Sequence, residues 1–117
     1  MVETATFTIG AESGNVIKVT ATLKRDGQAI DYRAGVMGYL STDADGDNLA
    51  ASAPTGGFAV AAKGVAIEVV ADKSALFITD ANGQFDINIT DTGTPTFYLV
   101  LVLPDGSLVV SGAITFA

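Results

Sequence analysis

The fold is decided by residues 17–24, where apolar and polar side chains alternate without a break: Ile17-Lys18-Val19-Thr20-Ala21-Thr22-Leu23-Lys24. A period of two sends successive side chains to opposite faces of an extended strand, so one face enters a core and the other meets water. The threonines fit this interpretation, because β-branched side chains lose little rotamer freedom on a pleated surface. The stretch therefore predicts a long strand with one buried face.

The same alternation recurs at residues 4–9 and 85–90, whereas no segment carries an apolar stripe at helical spacing. The best helix candidate, residues 49–62, is rich in alanine but contains Pro54 and the pair Gly56-Gly57. Proline removes a backbone donor and glycine adds backbone entropy, so both oppose a helix there. The chain is therefore predicted to be all-β.

Three dipeptides, Asp26-Gly27, Asn82-Gly83 and Asp105-Gly106, tolerate the positive φ of tight turns and are each expected to close a hairpin. The second of them would join residues 75–79 to 84–91. With turns at this spacing we predict an immunoglobulin-like antiparallel β-sandwich of about seven or eight strands, with a small barrel as the alternative. The 117 residues suffice for a single domain over residues 1–117.

Composition excludes several classes of function. The chain has no histidine and no cysteine, which removes Ser-His-Asp and Cys-His catalysis and the usual zinc sites. Thirteen acidic residues against six basic ones give a net charge of −7, which opposes binding to nucleic acid or to an anionic membrane. We expect no enzymatic activity and no cofactor. Residues 1–4 show no secretory signal, so we also expect synthesis in the cytoplasm without export.

Residues 97–103 form an apolar run with two apolar faces. It is much shorter than the roughly 20 residues of a membrane helix, so no membrane partner is expected. In a two-layer sandwich only one face of a strand contacts the opposing sheet. The second face is covered by flanking loops or by residues 49–64, or it is that of a central strand with scattered surface valines. The alternative is that it contacts a partner subunit. The candidate interaction residues are Tyr98, Val100, Val102, Val109 and Phe58.

Residues 43–48, Asp-Ala-Asp-Gly-Asp-Asn, place carboxylates at alternate positions, as a calcium loop does. Asp43, Asp45 and Asp47 are therefore weak candidates for a calcium site. The EF-hand template nevertheless fails twice, since Asn48 replaces its glycine and Pro54 its bidentate glutamate. The alternative is a solvated turn, stabilised by local hydrogen bonds of Asp and Asn.

The acidic turn opens the irregular stretch 42–64, which is too long for an ordinary connection in a compact domain. It is expected to be a functional loop or to contain a short strand. As a functional loop it would recognise a carbohydrate or host surface, although Phe58 is its only aromatic residue.

Two strings carry a resemblance: residues 38–47, GYLSTDADGD, and residues 97–115, FYLVLVLPDGSLVVSGAIT, with TDANGQFD at 79–86 between them. Together they resemble small proteins of tailed bacteriophages and prophages, over roughly residue 38 to the C-terminus. The resemblance implies an immunoglobulin-like structural protein of the virion, placed foremost on the capsid exterior as a decoration or minor capsid protein.

Its partners would be the major capsid protein or other virion subunits, with homo-oligomers on the particle. A neck or tail-associated component is the alternative. The resemblance implies no catalytic or metal-binding residues.

Overall fold

The computed structural model describes residues 2–117, which contain eleven β-strands and no helix. The strands are β1 (Thr4–Ile9), β2 (Val16–Arg25), β3 (Gln28–Ala29), β4 (Gly35–Ser41), β5 (Phe58–Val60), β6 (Val65–Val70), β7 (Ser74–Ile78), β8 (Gln84–Thr90), β9 (Thr96–Val102), β10 (Leu108–Val110) and β11 (Ile114–Thr115). Seven of them have five residues or more; β3, β5, β10 and β11 are shorter.

The strands form two antiparallel sheets that pack face to face. Sheet I has the order β1-β2-β8-β5, with β3 beside β2, and sheet II has the order β10-β9-β4-β7-β6, with β11 beside β9. The predicted all-β sandwich is confirmed. Immunoglobulin-like connectivity is not confirmed. In this chain β5, the edge strand of sheet I, comes before β6 and β7 of sheet II. In an immunoglobulin variable domain the corresponding strands of the second sheet, C′ and C″, come before the edge strand D of the first.

The alternation read from the sequence produces the core. The alternating apolar residues at 17–23 in β2 and at 85–89 in β8 are at most 2% exposed, and they face the buried side of sheet II. Phe77 of β7 stacks on Phe85 of β8, with ring centroids 4.5 Å apart and ring planes at 8°. Because β7 belongs to sheet II and β8 to sheet I, this aromatic pair joins the two layers.

Two of the three predicted hairpins are confirmed, and the third is wrong. Asp26-Gly27, with φ of 53° and 78°, joins β2 to the paired β3, and Asp105-Gly106 joins β9 to β10. Asn82-Gly83 instead carries the chain from sheet II to sheet I, since β7 and β8 lie in different sheets. The Asp80 carboxylate accepts the backbone N–H groups of Asn82 and Gln84, so this turn is tight without strand pairing.

The long segment 42–64 contains the short strand β5, which confirms the expectation of a short strand within it. Two buried carboxylates hold residues 55–63 of this segment in place. Asp86 accepts the backbone N–H groups of Ala62 and Lys63 at 2.8 and 2.7 Å, and Asp91 accepts that of Thr55 at 3.0 Å. The carboxylates of β8 and its C-terminal end therefore anchor the return of the chain toward sheet II.

Asp86→Asn is expected to lower the free energy of unfolding by about 1–3 kcal/mol at neutral pH, because it weakens two charge-assisted hydrogen bonds. Burial by itself would raise the pKa of Asp86, but the two backbone donors and the charges of Lys18 and Lys63 outweigh it and lower that pKa. A carboxyl with a lowered pKa stabilises the fold fully above its unfolded-state pKa, near 3.9, and loses that contribution as pH falls through the folded-state value.

Urea unfolding between pH 2 and pH 7 measures both effects. Asp86→Asn should flatten the loss of stability below about pH 4, whereas the exposed control Asp31→Asn should follow the wild-type curve. An acid limb in Asp86→Asn as steep as that of the wild type would contradict the assignment.

Candidate interaction surface

An uninterrupted line of apolar side chains crosses the outer face of sheet II from one edge to the other. Cross-strand register places five apolar side chains in one line across β10, β9, β4, β7 and β6. We call this line the apolar row; it consists of Leu108, Val102, Met37, Leu76 and Ile67. Its exposed fractions reach 46% at Leu108, 40% at Met37 and 54% at Ile67.

Further apolar side chains widen the row into a surface. Val65 pairs with Ile78 on the neighbouring row. Leu49 of the 43–50 loop is 43% exposed and lines a hollow together with Met37 and Val102 of the apolar row. The apolar row with Val65, Ile78 and Leu49 is called the apolar face. Within residues 2–117, none of the outward side chains of these five strands is charged, as the alternation around the buried positions shows.

The outer face of sheet I has the opposite character. Most of its outward positions carry hydroxyl, amide or charged groups, as expected for a strand face in water. They include Thr4, Thr6, Thr8, Lys18, Thr20, Thr22, Lys24, Asn88 and Thr90. The sandwich thus has one polar, solvated face and one face that is crossed by an apolar row and whose five strands carry no outward charge.

The size of the apolar face is compatible with a binding surface. Five strands about 4.8 Å apart, over four or five residues of about 3.3 Å each, give roughly 300–400 Å². The largest apolar patch on a typical monomer is about this size and is often functional. A shallow hollow of about 310 Å³ lies within it, lined by Met37, Tyr39, Asp47, Leu49 and Val102 among others. Such a hollow can receive one apolar side chain of a partner.

The second apolar face of β9 is partly covered by the chain itself. Gly46 lies over Val100 and Val110, and the Tyr39 hydroxyl donates a hydrogen bond to the Gly46 carbonyl. Val100 is fully buried as a result. The cover over Val100 is therefore one of the chain's own loops, residues 43–50, and not a partner subunit.

Three expected interaction residues therefore do not lie on the surface. Val100 is under the 43–50 loop, Val109 packs against the core, and Phe58 is buried beside Phe77 with ring centroids 6.0 Å apart. Tyr98 is half-buried at one end of the sheet, away from the apolar row, and Val102 alone belongs to the row. The cause is local, since the loop folds back over β9 and β5 turns Phe58 inward.

The sequence interpretation missed most of the apolar face. Met37 and Leu76 come from strands whose outward positions also hold glycine, serine and tyrosine. Neither strand therefore shows a continuous apolar outward face in the sequence. Residues 65–70, VAIEVV, were the detectable signal, because five of these six residues are apolar and Glu68 alone is charged.

The acidic residues 43–47 form a turn. The Asp43 carboxylate accepts the backbone N–H of Asp45 at 3.1 Å, and the Ser41 hydroxyl accepts that of Asp43 at 3.0 Å. Burial, and then the charge of Asp47, raise the pKa of Tyr39. Residues 2–117 hold no group of three or more His, Cys, Asp or Glu side chains arranged to bind a metal ion. The geometry fits the solvated-turn alternative.

Gly46→Ala is expected to destabilise the protein by about 1–3 kcal/mol more than Gly27→Ala. Both glycines have positive φ, 72° and 78°, but only at Gly46 would a new Cβ approach other atoms, 2.9 Å from Val100 and 3.1 Å from Val110. Urea unfolding measures the difference, and hydrogen exchange of residues 43–50 should rise only in Gly46→Ala. Equal destabilisation of the two variants would show that the loop does not press on Val100.

No family model matches the chain, and no curated protein matches it. In the described part of the chain there is no helix of the length and apolar character that crossing a bilayer requires.

Proposed function

We propose that this chain is a structural protein of a tailed-phage virion, bound to the outside of the head as a decoration or minor capsid protein through its apolar face. The observation that carries the proposal is the apolar row, which crosses five strands without a charged side chain. An apolar sheet face opposite a polar one suits a module that docks on a larger assembly with one side and meets water with the other.

The net charge supports the exterior of the head. A charge of −7 repels packaged DNA, so a place on the inner wall of the shell is disfavoured. A protein that binds only the assembled shell also stabilises that shell by mass action, which is the physical benefit of decoration. The resemblance of residues 38–47 and 97–115 to proteins of tailed phages and prophages supports the same assignment.

Recognition of a carbohydrate by the 42–64 segment is less well supported. Phe58, the only aromatic residue of that segment, is buried in the core and offers no stacking surface. The outer part of the segment instead borders the apolar face through Leu49, so it contributes to the same docking surface.

The proposal is tested on particles of the phage or prophage that encodes the chain. Particles made without the chain should bind the purified protein saturably in co-sedimentation, at a copy number in proportion to the major capsid protein. A few copies per particle would instead indicate the neck or tail. No binding, together with absence of the chain from complete particles by mass spectrometry, would contradict a virion role.

A further inference from the structure

Strand β6 is an apolar edge strand with unpaired backbone groups on its outer side. It pairs with β7 alone and ends the order of sheet II. Four of its six residues are large, apolar and exposed: Val65 at 47%, Ile67 at 54%, Val69 at 63% and Val70 at 42%. An edge of this kind is a template for another strand, because its free N–H and C=O groups and its apolar side chains both lack partners.

The protection of the β6 edge is confined to its C-terminal half, where Glu68 points to the inner side of the sheet and the register shifts. The strand contains no proline and no lysine, and its single charge is Glu68. The only irregularity is the register shift between Glu68 and Val70, at the C-terminal end. Of the other edge strands, β5 and β10 have only three residues each, and β1 has six residues whose outward side chains are threonines and not apolar groups. Residues 65–67 therefore form a regular edge that is both apolar and uncharged.

We propose that β6 pairs antiparallel with β6 of a second copy of this chain, across a two-fold axis at Ala66. Antiparallel pairing of an edge with itself is isologous, so each copy satisfies the other with the same groups. The resulting sheet would run through ten strands, five from each sheet II.

Side-chain direction and charge select this register. Residues directly opposite each other must point to the same face, so the two-fold axis passes through a residue of β6. An axis at Ala66 places Ile67 opposite Val65 of the partner subunit and Glu68 opposite Gly64 of the partner subunit. The two Glu68 side chains are then four residues apart, about 13 Å along the strand, beyond the Debye length of about 8 Å at physiological ionic strength. An axis at Ile67 would halve that distance and include the irregular end.

Room is available for the inward-pointing side chains of the second strand. A groove of about 390 Å³ runs beside β6 on its inner side, between the edges of the two sheets, and is lined by Phe58, Val60, Gly64, Ala66 and Glu68 among others. The side chains that the partner strand would turn toward it are Ala66 and Glu68, of which one is small and the other reaches solvent.

The area needed for docking gives a second argument, which rests on the proposed function. One apolar face offers roughly 300–400 Å², whereas a stable interface takes about 800 Å² per partner. Pairing through β6 joins two apolar faces into one continuous surface of roughly 600–800 Å². A dimer thus approaches the area of a stable interface, of which a monomer offers at most about half.

Single-cysteine variants test the dimer in solution, without any virion component. The chain has no cysteine, so each variant carries one thiol. With oxidised glutathione, Ala66→Cys is expected to form a covalent dimer as its major product. Ile67→Cys should cross-link much less, because an offset of two residues puts the two Cα atoms about 7–8 Å apart, beyond disulfide reach. Thr20→Cys on sheet I is the surface control.

Sedimentation of the unmodified protein provides a readout that does not depend on the variants. We expect a dimer at micromolar concentration, and its loss in Ile67→Lys, which places a charge on the paired edge. A monomer at all concentrations, or cross-linking of Ala66→Cys no greater than that of Thr20→Cys, would overturn the proposal. Stronger cross-linking of Ile67→Cys than of Ala66→Cys would overturn the register. Failure of the proposed virion role would leave these results unchanged.

Discussion

Met37→Asp combined with Leu108→Asp is expected to weaken binding to the shell by about a hundredfold or more, since two unpaired charges would be buried at the interface. Both side chains lie on the apolar row and are at least 40% exposed in the free protein. The fold should therefore tolerate the substitutions. Neither residue belongs to β6, so the proposed dimer should persist in sedimentation.

The matched control adds the same charge to the other side of the sandwich. Thr6→Asp with Thr8→Asp places two carboxylates on exposed positions of β1 in sheet I. Long-range repulsion then changes equally in both double variants, and only the location of the charge differs. Co-sedimentation with particles lacking the chain measures the outcome. Equal loss of binding in the two variants would show that net charge, and not the apolar face, governs docking.

Phe77→Ala is expected to lower the free energy of unfolding by about 3–5 kcal/mol. Phe77 is 1% exposed, and its ring stacks on Phe85 of the opposite sheet. It also fills the space left by Gly38, where an added Cβ would lie 2.7 Å from the ring. Removal of the ring therefore leaves a cavity between the layers, and a loss of this size is a large part of the roughly 5–15 kcal/mol that stabilises a typical domain.

Leu76→Ala is the control for Phe77→Ala, because Leu76 is the next residue of β7 and lies half-buried on the apolar face. Urea unfolding of both variants should give a loss several-fold smaller for Leu76→Ala. Similar losses for the two would contradict the assignment of inner and outer faces of sheet II, and with it the position of the apolar face.

The strands were predictable where alternation was strict. Residues 17–24 fold as part of β2, and every apolar side chain among them is buried. Strict alternation places all apolar side chains on one face only in an extended strand, and that face then packs on a core. The turn at Asn82-Gly83 was not predictable as a crossover. The same dipeptide suits a hairpin and a change of sheet, and only the partners of β7 and β8 distinguish them.

The site was less predictable than the fold. Residues 97–103 correctly indicated more apolar surface than one core face can bury. The burial of Val100, however, depends on the path of the 43–50 loop, which no local sequence pattern predicts.

The apolar row arises from the register between five strands. Met37 and Ile67 are thirty residues apart in the chain and become neighbours only through β7.

The central claim is that the apolar face of sheet II is the side that docks on the virion. Its most direct test is a structure of the intact particle with this chain placed in it. We expect Met37, Val102 and Leu108 to be buried against a capsid subunit, with the threonine-rich face of sheet I toward solvent. A particle in which sheet I contacts the shell and the apolar row faces water would contradict the account.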